Sequence, residues 1–234
     1  MESPDDKLIR SVDSANKYDI IDAINKGANI DVKGPYGRPL LIIILQKYSI
    51  RVSTKEYIAQ LLIREGVDMN LKDRRGATAL IETANPRMMY PTIALLLMRA
   101  GAEVNAQSND GSTVLLRALR SYDVGSRTLS TNASRIAQLA ILFGADVNIG
   151  DNTDTTPLMV VAKKGDEDMV NLLIENRAEL DLQDDHGRTA ENLAASNDHT
   201  NILDIIEDER MRRIRIVPPV AQKTPFTTLQ NWLE

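Results

Sequence analysis

The chain has 234 residues, a length that suits one large domain or two small ones. Apolar residues make up 43% of it but aromatic residues only 4%, so a core must be built mainly from aliphatic side chains. Closely stacked helices accommodate such side chains better than a β-sandwich does. Because the chain has no cysteine, disulfide frameworks, thiolate zinc sites and cysteine nucleophiles are excluded.

The charge balance and the apolar runs restrict the partners and the location. A net charge of −5 argues against general nucleic-acid binding, for which a basic balance is expected. Residues 1–6 are acidic and polar, without the basic and then apolar pattern of a signal segment. The longest apolar run, residues 40–45, is far shorter than the roughly 20 residues that span a bilayer. We therefore expect a cytoplasmic protein without membrane or nucleic-acid partners, with a nuclear location or delivery into a host cell as alternatives.

A five-residue phrase recurs along the chain and divides it into similar units. Its pattern is Gly, Ala or Val, a polar residue, an aliphatic residue, and Asp or Asn. The copies begin at Gly27, Gly66, Gly101 and Gly144, and in a decayed form at Arg177, with successive spacings of 39, 35, 43 and 33 residues. Each copy follows one aliphatic block and precedes a turn and a second block, which predicts two helices and a turn in every unit.

These units resemble the ankyrin repeat, a β-turn finger followed by two antiparallel helices with a period of 33 residues. The resemblance covers about residues 5–210 and implies an all-α ankyrin-repeat solenoid of helix-turn-helix units. It also implies threonines that open the first helix of a unit and finger residues with positive φ. The implied helix-opening residues are Thr78, Thr113, Thr156 and Thr189, and the finger residues are Gly76, Gly111, Gly187 and, in place of glycine, Asp154.

In chain order, we expect about six units and a tail. The predicted units are 1–33 as an N-terminal cap, 34–72, 73–107, 108–150, 151–183 and 184–211 as a C-terminal cap, followed by a tail over 212–234. Ser3 and Pro4 predict the start of the first helix. The last helix is predicted over residues 200–210, with one apolar and one acidic face, as suits the end of a solenoid.

Three consecutive units are longer than the ankyrin period, and the extra residues fall between their two helices. They lie over residues 46–55, 85–91 and 117–135, which are basic and each contain a tyrosine. We hypothesise a second binding edge, the loop edge, that recognises an acidic or phosphorylated partner segment. The alternative is that the extra residues extend the helices and the tyrosines cover the helix ends. The residues of the loop edge are Tyr48, Arg51, Arg87, Tyr90, Arg120, Tyr122 and Arg127.

Glu82 and Arg117 occupy equivalent positions in adjacent units. We expect an ion pair between them that contributes little to stability if it is exposed.

Catalytic patterns do not occur in the sequence. His186 belongs to a predicted finger tip and His199 to the turn before the last helix, and the pair lacks the spacing of a helical metal site. There is no glycine-rich phosphate loop and no G-x-S-x-G elbow. The sequence favours a protein that is not an enzyme and that holds no cofactor or metal.

The resemblance instead implies protein binding along a concave face of fingers and inner helices. Tyr36, Arg74 and Arg75 are the strongest candidates, because Tyr and Arg are the residue types that dominate binding energy at interfaces. The full set of predicted contacts is Tyr36, Arg38, Arg74, Arg75, Asn109, Asp110, Lys163, Lys164, His186 and Arg188.

We interpret the chain as a monomeric scaffold, an adaptor or an inhibitor, that grips one protein partner. The irregular loops resemble stand-alone ankyrin proteins that viruses and intracellular bacteria direct at host proteins. The alternative function is that of a regulatory subunit that controls an enzyme allosterically. The predicted tail contains Phe226, Leu229, Trp232 and Leu233 in amphipathic spacing, which suits either packing on the last unit or a peptide motif for another partner.

Overall fold

The computed structural model describes residues 2–121 and 127–216 and contains six consecutive helix pairs in them, here called repeats 1 to 6. Each repeat has an inner helix followed by an outer helix, and the two contact one another. The pairs are α1 (Pro4–Asp13) and α2 (Lys17–Asn25), α3 (Leu40–Gln46) and α4 (Val52–Arg64), α5 (Ala79–Glu82) and α6 (Pro91–Arg99), α7 (Val114–Ser121) and α8 (Arg127–Leu142), α9 (Pro157–Lys164) and α10 (Glu167–Glu175), and α11 (Ala190–Ala195) and α12 (Thr200–Ile216).

The repeats stack in chain order, and this confirms the predicted ankyrin-repeat solenoid. The inner helices contact one another successively from α1 through α3, α5, α7 and α9 to α11. Among the outer helices, α4 contacts α6 and α6 contacts α8. The outer helices α10 and α12 also contact one another. Two short antiparallel hairpins complete the structure, β1 (Lys33–Gly34) with β2 (Arg38–Pro39) and β3 (Ala84–Asn85) with β4 (Met88–Met89).

The core is one aliphatic cluster that runs from Leu8 in α1 to Ile206 in α12. Helix α3 is the clearest example of how the stack buries its side chains. Its six residues Leu40–Leu45 are all buried, because α1, α4 and α5 contact it. A helix that is apolar on every side needs such an environment. Among the described residues, no helix is long and apolar enough to cross a membrane.

The predicted helix-opening threonines are confirmed as N-caps. The Oγ1 atoms of Thr78, Thr156 and Thr189 each accept a hydrogen bond from the backbone N–H three residues later, and Thr113 does the same in α7. These bonds satisfy N–H groups that have no partner within the helix. Ser3 caps α1 in the same way, with Pro4 at the first helical position.

The predicted positive φ angles in the fingers are also confirmed. Gly76, Gly111, Asp154 and Gly187 have φ values of 71°, 78°, 55° and 73°. At Gly76 a side chain would also collide with the neighbouring finger, since a Cβ atom there would lie only 2.7 Å from the backbone nitrogen of Asn109. Arg177 has a φ of 69°, so this copy of the phrase keeps the backbone conformation although it has lost its glycine.

The recurring phrase sets the register of the stack through hydrogen bonds between repeats. The side-chain oxygen at the fifth position of one copy accepts a bond from the backbone N–H at the third position of the next copy. We call this row the Asx ladder. Its bonds run from the N–H of Asp68 to Asp31 at 2.8 Å, of Glu103 to Asn70 at 2.9 Å, of Asp146 to Asn105 at 2.8 Å and of Glu179 to Asn148 at 2.8 Å.

The ladder ends in a charged cluster at the last repeat. Arg210 Nη2 donates to Asp181 Oδ1 at 3.0 Å and to Glu191 Oε2 at 2.8 Å. Asp181 is the fifth residue of the last copy of the phrase. Its carboxylate therefore accepts a bond from Arg210, where the earlier copies accept one from the backbone N–H of the following copy. These partners raise the pKa of Arg210, chiefly through the hydrogen bond with Glu191.

The predicted end of the last helix at residue 210 is wrong, because α12 continues to Ile216. Arg213 supports the additional turns, since its Nε donates to Glu209 Oε1 at 2.9 Å and its Nη2 to the Ala178 carbonyl at 3.0 Å. Such a pair with i,i+4 spacing stabilises a helix. The tail residues Phe226, Leu229, Trp232 and Leu233 lie outside the described residues.

We expect removal of one Asx ladder side chain to destabilise the stack. Asn105→Ala deletes the bond from the Asp146 N–H and the 3.3 Å bond from Asn105 Nδ2 to the Gly144 carbonyl. The free energy of unfolding, measured in urea, should fall by about 1–2 kcal/mol.

Asn25→Ala is the matched control for this variant. Asn25 is exposed at the end of α2 and makes no side-chain hydrogen bond within the described residues. Its replacement should change the free energy of unfolding by no more than about 0.5 kcal/mol. Equal effects of the two substitutions would contradict the role of the ladder.

Candidate protein-binding face

The finger turns and the inner helices together form one face of the solenoid, here called the inner face. Two clefts on it are lined by residues that the sequence predicted as partner contacts. The N-terminal cleft has a volume of about 260 Å³ and lies between the fingers of repeats 2 and 3. The C-terminal cleft has a volume of about 420 Å³ and lies where the inner helices of repeats 4, 5 and 6 meet.

Tyr36 dominates the N-terminal cleft. It belongs to a 3₁₀ turn over Pro35–Gly37, between β1 and β2, and its side chain is 69% exposed. The guanidinium carbons of Arg38 and Arg74 lie 5.6 and 5.7 Å from its ring centroid, which is cation–π distance. The structure therefore brings three of the predicted contacts together, from two adjacent fingers.

Arg38 is held in place by a chain of hydrogen bonds that reaches repeat 3. Its Nη1 donates to Gln46 Oε1 at 3.1 Å, and Gln46 Nε2 donates to Glu82 Oε1 at 3.3 Å. Asn85 Nδ2 donates to the same Glu82 oxygen at 2.8 Å. The predicted ion pair of Glu82 with Arg117 is therefore wrong: within the described residues these two side chains form no ion pair, and Glu82 is buried against Gln46 and Asn85.

Asn109 and Asp110 are exposed, as predicted, and also connect neighbouring fingers. Asn109 donates from its backbone N–H to the Arg75 carbonyl at 2.9 Å and from Nδ2 to the Arg74 carbonyl at 3.0 Å. The Asp110 carboxylate accepts bonds from the Ser108 hydroxyl and the Ser112 N–H, which lower its pKa, the Ser108 bond being the larger cause. The two bonds of Asn109 fix the positions of Arg74 and Arg75 through their backbone.

The C-terminal cleft combines an apolar floor with a basic rim. Its floor is formed by Met159 and Val160 of α9 and Leu193 of α11. Its rim carries four basic side chains, three of which the sequence predicted on this face. The rim residues are Arg120, Lys163, Lys164 and Arg188.

Two of the rim cations are held by carboxylates that lie beneath them. Arg120 Nη2 is paired with Asp151, and Arg188 Nη2 lies 2.7 Å from Asp184 Oδ2. The two carboxylates have side-chain exposures of 9% and 1%. The Arg188 hydrogen bond lowers the pKa of Asp184 to about 2. For Asp151, burial acts to raise the pKa, but the bonds from Arg120 and Thr153 outweigh it and the pKa is lowered.

The two lysines of the rim differ in their surroundings. Lys164 Nζ donates to the Leu119 carbonyl at 2.7 Å and to the Arg120 carbonyl at 3.2 Å, so it caps the C-terminal end of α7. This is a favourable place for a cation, since the last carbonyls of a helix lack partners within it. Lys163 is exposed, and its ammonium has no carboxylate within 4 Å among the described residues.

His186 lies at the tip of the last finger, with its ring Nδ1 2.5 Å from Asp185 Oδ1. Together with Asp184 these residues are the one group in the described part of the chain whose ligand atoms are close enough to share a metal ion. Asp184, however, already binds Arg188 and accepts the N–H groups of His186 and Arg188. The other two side chains are exposed, so this arrangement is that of a solvated finger tip.

Arg120 belongs to the inner face, and its predicted place on the loop edge is wrong. Helix α7 continues to Ser121, so Arg120 is helical, and its Nη1 donates to Ser112 Oγ in the finger of the same repeat at 3.3 Å. Tyr48, Arg51 and Arg87 are exposed on the loop edge, as predicted. Tyr122 and the side chain of Arg127 lie outside the described part of the chain.

Tyr90 is 2% exposed, so its predicted place on an exposed edge is also wrong. It closes over Lys55, whose side chain is fully buried. Lys55 Nζ donates to the Leu45 carbonyl at 2.8 Å and to the Tyr90 hydroxyl at 2.6 Å, and it lies 4.7 Å from the tyrosine ring centroid. Burial lowers the pKa of Lys55 to about 8 and raises that of Tyr90 to about 12.

This pair caps the end of α3 inside the stack. Leu45 is the penultimate residue of α3, so its carbonyl oxygen has no hydrogen-bond donor within the helix. Lys55 comes from α4 and Tyr90 from the turn before α6, so the pair joins repeats 2 and 3. Lys55 and Tyr90 both belong to the extra residues of these repeats, so part of each extra segment lies in the core. For Tyr90 this agrees with the alternative interpretation, in which the tyrosines cover the helix ends.

The fold and the clefts define a non-globular helical repeat protein that offers a long ready-made surface. Comparison with known proteins agrees with this class. The family model for ankyrin repeats matches residues 126–211, with three copies. The fem-1 homolog C proteins of Homo sapiens, Mus musculus and Bos taurus are each 37% identical over 59 residues. The aligned segment is 25% of this chain and 10% of each relative, so only a tenth of their length is matched.

The chain contains ankyrin repeats, and its described residues fold as an ankyrin-repeat solenoid. The matched residues cover α8 of repeat 4, repeat 5 and most of repeat 6, and the earlier repeats continue the same helix pairs, finger turns and Asx ladder. Ankyrin repeats generally mediate protein–protein interactions.

The buried ammonium of Lys55 should make stability depend on pH. Below pH 8 the lysine is charged in the folded and in the unfolded state. From about pH 8 towards its ordinary pKa of 10.5, the folded protein releases the proton first, so the free energy of unfolding rises with pH. Relative to Lys55→Met, the wild type should gain roughly 2 kcal/mol between pH 7 and pH 10.

Urea unfolding of both proteins at several pH values measures this difference. Above pH 10 the raised pKa of Tyr90 makes the free energy of unfolding fall as the pH rises, so the measurements should end at pH 10. Lys163→Met is the control, because Lys163 is exposed and has no carboxylate within 4 Å of its ammonium among the described residues, and it should differ from the wild type by the same amount at every pH. A pH-independent difference for Lys55→Met would show that the ammonium is not buried as described.

Proposed function

We propose that this protein is a non-catalytic, monomeric scaffold that holds one protein partner against its inner face, as an adaptor or an inhibitor. The observation that carries this proposal is the conformation of Tyr36. A tyrosine with a φ of 63° is in a backbone region that favours glycine, and this residue is 69% exposed. Such a residue costs the fold free energy and adds almost nothing to the core, so recognition is the role that accounts for it.

The surroundings of Tyr36 support the same role. Arg38 and Arg74 flank the ring, and Arg38 is fixed through Gln46 to the buried Glu82. Tyr and Arg are the residue types most enriched among interface residues that dominate binding energy. Because the side chains are already held in place, a partner loses little free energy in ordering them.

The stack makes the whole inner face available in one piece. Its helices bury their apolar side chains against neighbouring repeats, so the core leaves the finger tips and cleft rims unused. Tyr36, Arg74 and Arg75 at one end and Lys163, His186 and Arg188 at the other can therefore contact an extended partner without any change in the fold.

Capture of partners from the native cell with the full chain tests the proposal. The double variant Tyr36→Ala/Arg74→Ala should lose the wild-type partner, with affinity reduced by at least about tenfold, because two central contacts are removed. The matched control is Tyr18→Ala/Arg99→Ala, which removes an exposed tyrosine and an exposed arginine from the outer helices α2 and α6. If both double variants retain the partner equally, the inner face is not the binding surface.

The loop edge is a second candidate surface for this partner, because Tyr48 is 58% exposed and Arg51 and Arg87 are exposed as well. Arg51→Glu/Arg87→Glu, examined in the same capture, separates the two surfaces. Loss of the partner in this variant alone would assign binding to the loop edge.

A further inference from the structure

The C-terminal cleft differs from the rest of the inner face, because it joins three repeats around one apolar floor. Arg120 comes from α7, Met159, Val160 and Lys163 from α9, and Leu193 from α11. Its volume of about 420 Å³ lies in the range of pockets that enclose a small ligand or a few side chains. Apolar side chains at its base favour an apolar group in the same position of a partner.

The charge of this cleft is positive where a partner would meet it. Four basic residues form the rim, and in the described part of the chain two of them, Arg120 and Arg188, are paired with the carboxylates of Asp151 and Asp184. Both carboxylates lie almost completely buried beneath their arginines, so the groups that face solvent are cations. An approaching anion therefore meets positive charge before any negative charge.

Three of the basic side chains of the rim are fixed in place by hydrogen bonds, and the arginines retain donors for a second anion. Asp151 and Asp184 fix Arg120 and Arg188, and two helix carbonyls fix Lys164. A guanidinium has five N–H donors, so an arginine that binds one carboxylate retains donors for another. Lys163 adds a charge that no carboxylate among the described residues neutralises.

We infer that this cleft is a subsite for an acidic segment of the protein partner, in which an Asp or Glu carboxylate binds the basic rim and a neighbouring apolar side chain occupies the floor. The inference rests on the proposed function and specifies the partner's chemistry at one place on the inner face. A carboxylate suits the cleft better than a phosphate dianion, since two of the four cations already carry a carboxylate each.

Selection from a phage-displayed library of random 12-residue peptides, with the full chain as target, tests this inference. Selected peptides should be enriched in Asp or Glu beside Leu, Ile, Met or Phe. Their dissociation constants, measured by fluorescence anisotropy of labelled synthetic copies, should increase about tenfold with Lys163→Glu and with a rise from 50 to 300 mM NaCl. Lys163 is exposed and binds no carboxylate among the residues that the structure describes, so its replacement should leave the melting temperature unchanged.

Arg99→Glu is the matched control, an exposed charge reversal on α6, and should leave peptide affinity unchanged. Tyr18→Ala, which replaces an exposed tyrosine of α2, should also leave it unchanged. Failure to select acidic peptides, or equal binding by the wild type and Lys163→Glu, would overturn the inference.

Two further outcomes distinguish this inference from the proposed function. Peptides whose binding depends on Tyr36 and not on Lys163 would overturn the cleft assignment and leave the inner face as the binding surface. Copies with phosphoserine in place of Glu that bind at least about tenfold more tightly would overturn the assignment to a carboxylate.

Discussion

Contact between neighbouring repeats is the interaction on which the rest of this structure depends. No repeat here could bury its aliphatic side chains alone; α5 has only four residues, Ala79–Glu82, and α3 is apolar on every side. Stacking supplies the missing core, and the Asx ladder fixes how far each repeat is displaced from the next. Stability in such an array is approximately a sum of repeat and interface contributions, so each bond between repeats acts locally.

The same contacts explain why polar residues of the fingers have two tasks. Asn109 bonds to the backbone of Arg74 and Arg75, and Asp151 and Asp184 fix Arg120 and Arg188. The bonds that join or close the fingers thereby also orient the basic side chains of the inner face. The surfaces proposed for recognition are therefore by-products of the stacking geometry, and they carry side chains that the core does not require.

Much of the fold could be predicted from sequence because the determining signals are local and repeated. The N-cap threonines such as Thr156, the finger residues such as Gly76 and the copies of the phrase all act through neighbours in the chain or in the next copy. The residues that were misplaced depend on what surrounds the irregular segments. Tyr90 is buried because Lys55, 35 residues earlier, requires a partner, and Arg120 faces a cleft because α7 is longer than expected. Neither contact follows a periodic pattern, so sequence offered no signal for it.

The C-terminal cleft brings side chains from repeats 4, 5 and 6 within reach of a single ligand. Among the described residues, repeat 6 contacts other repeats on one side only, so it separates from the stack more easily than an internal repeat does. A ligand that touches Arg120 and Arg188 at once must be released before repeat 6 can separate from repeat 4. A bound ligand would then hold repeats 4 to 6 together. The longer the complex lasts, the more slowly a protease would cut this part of the chain.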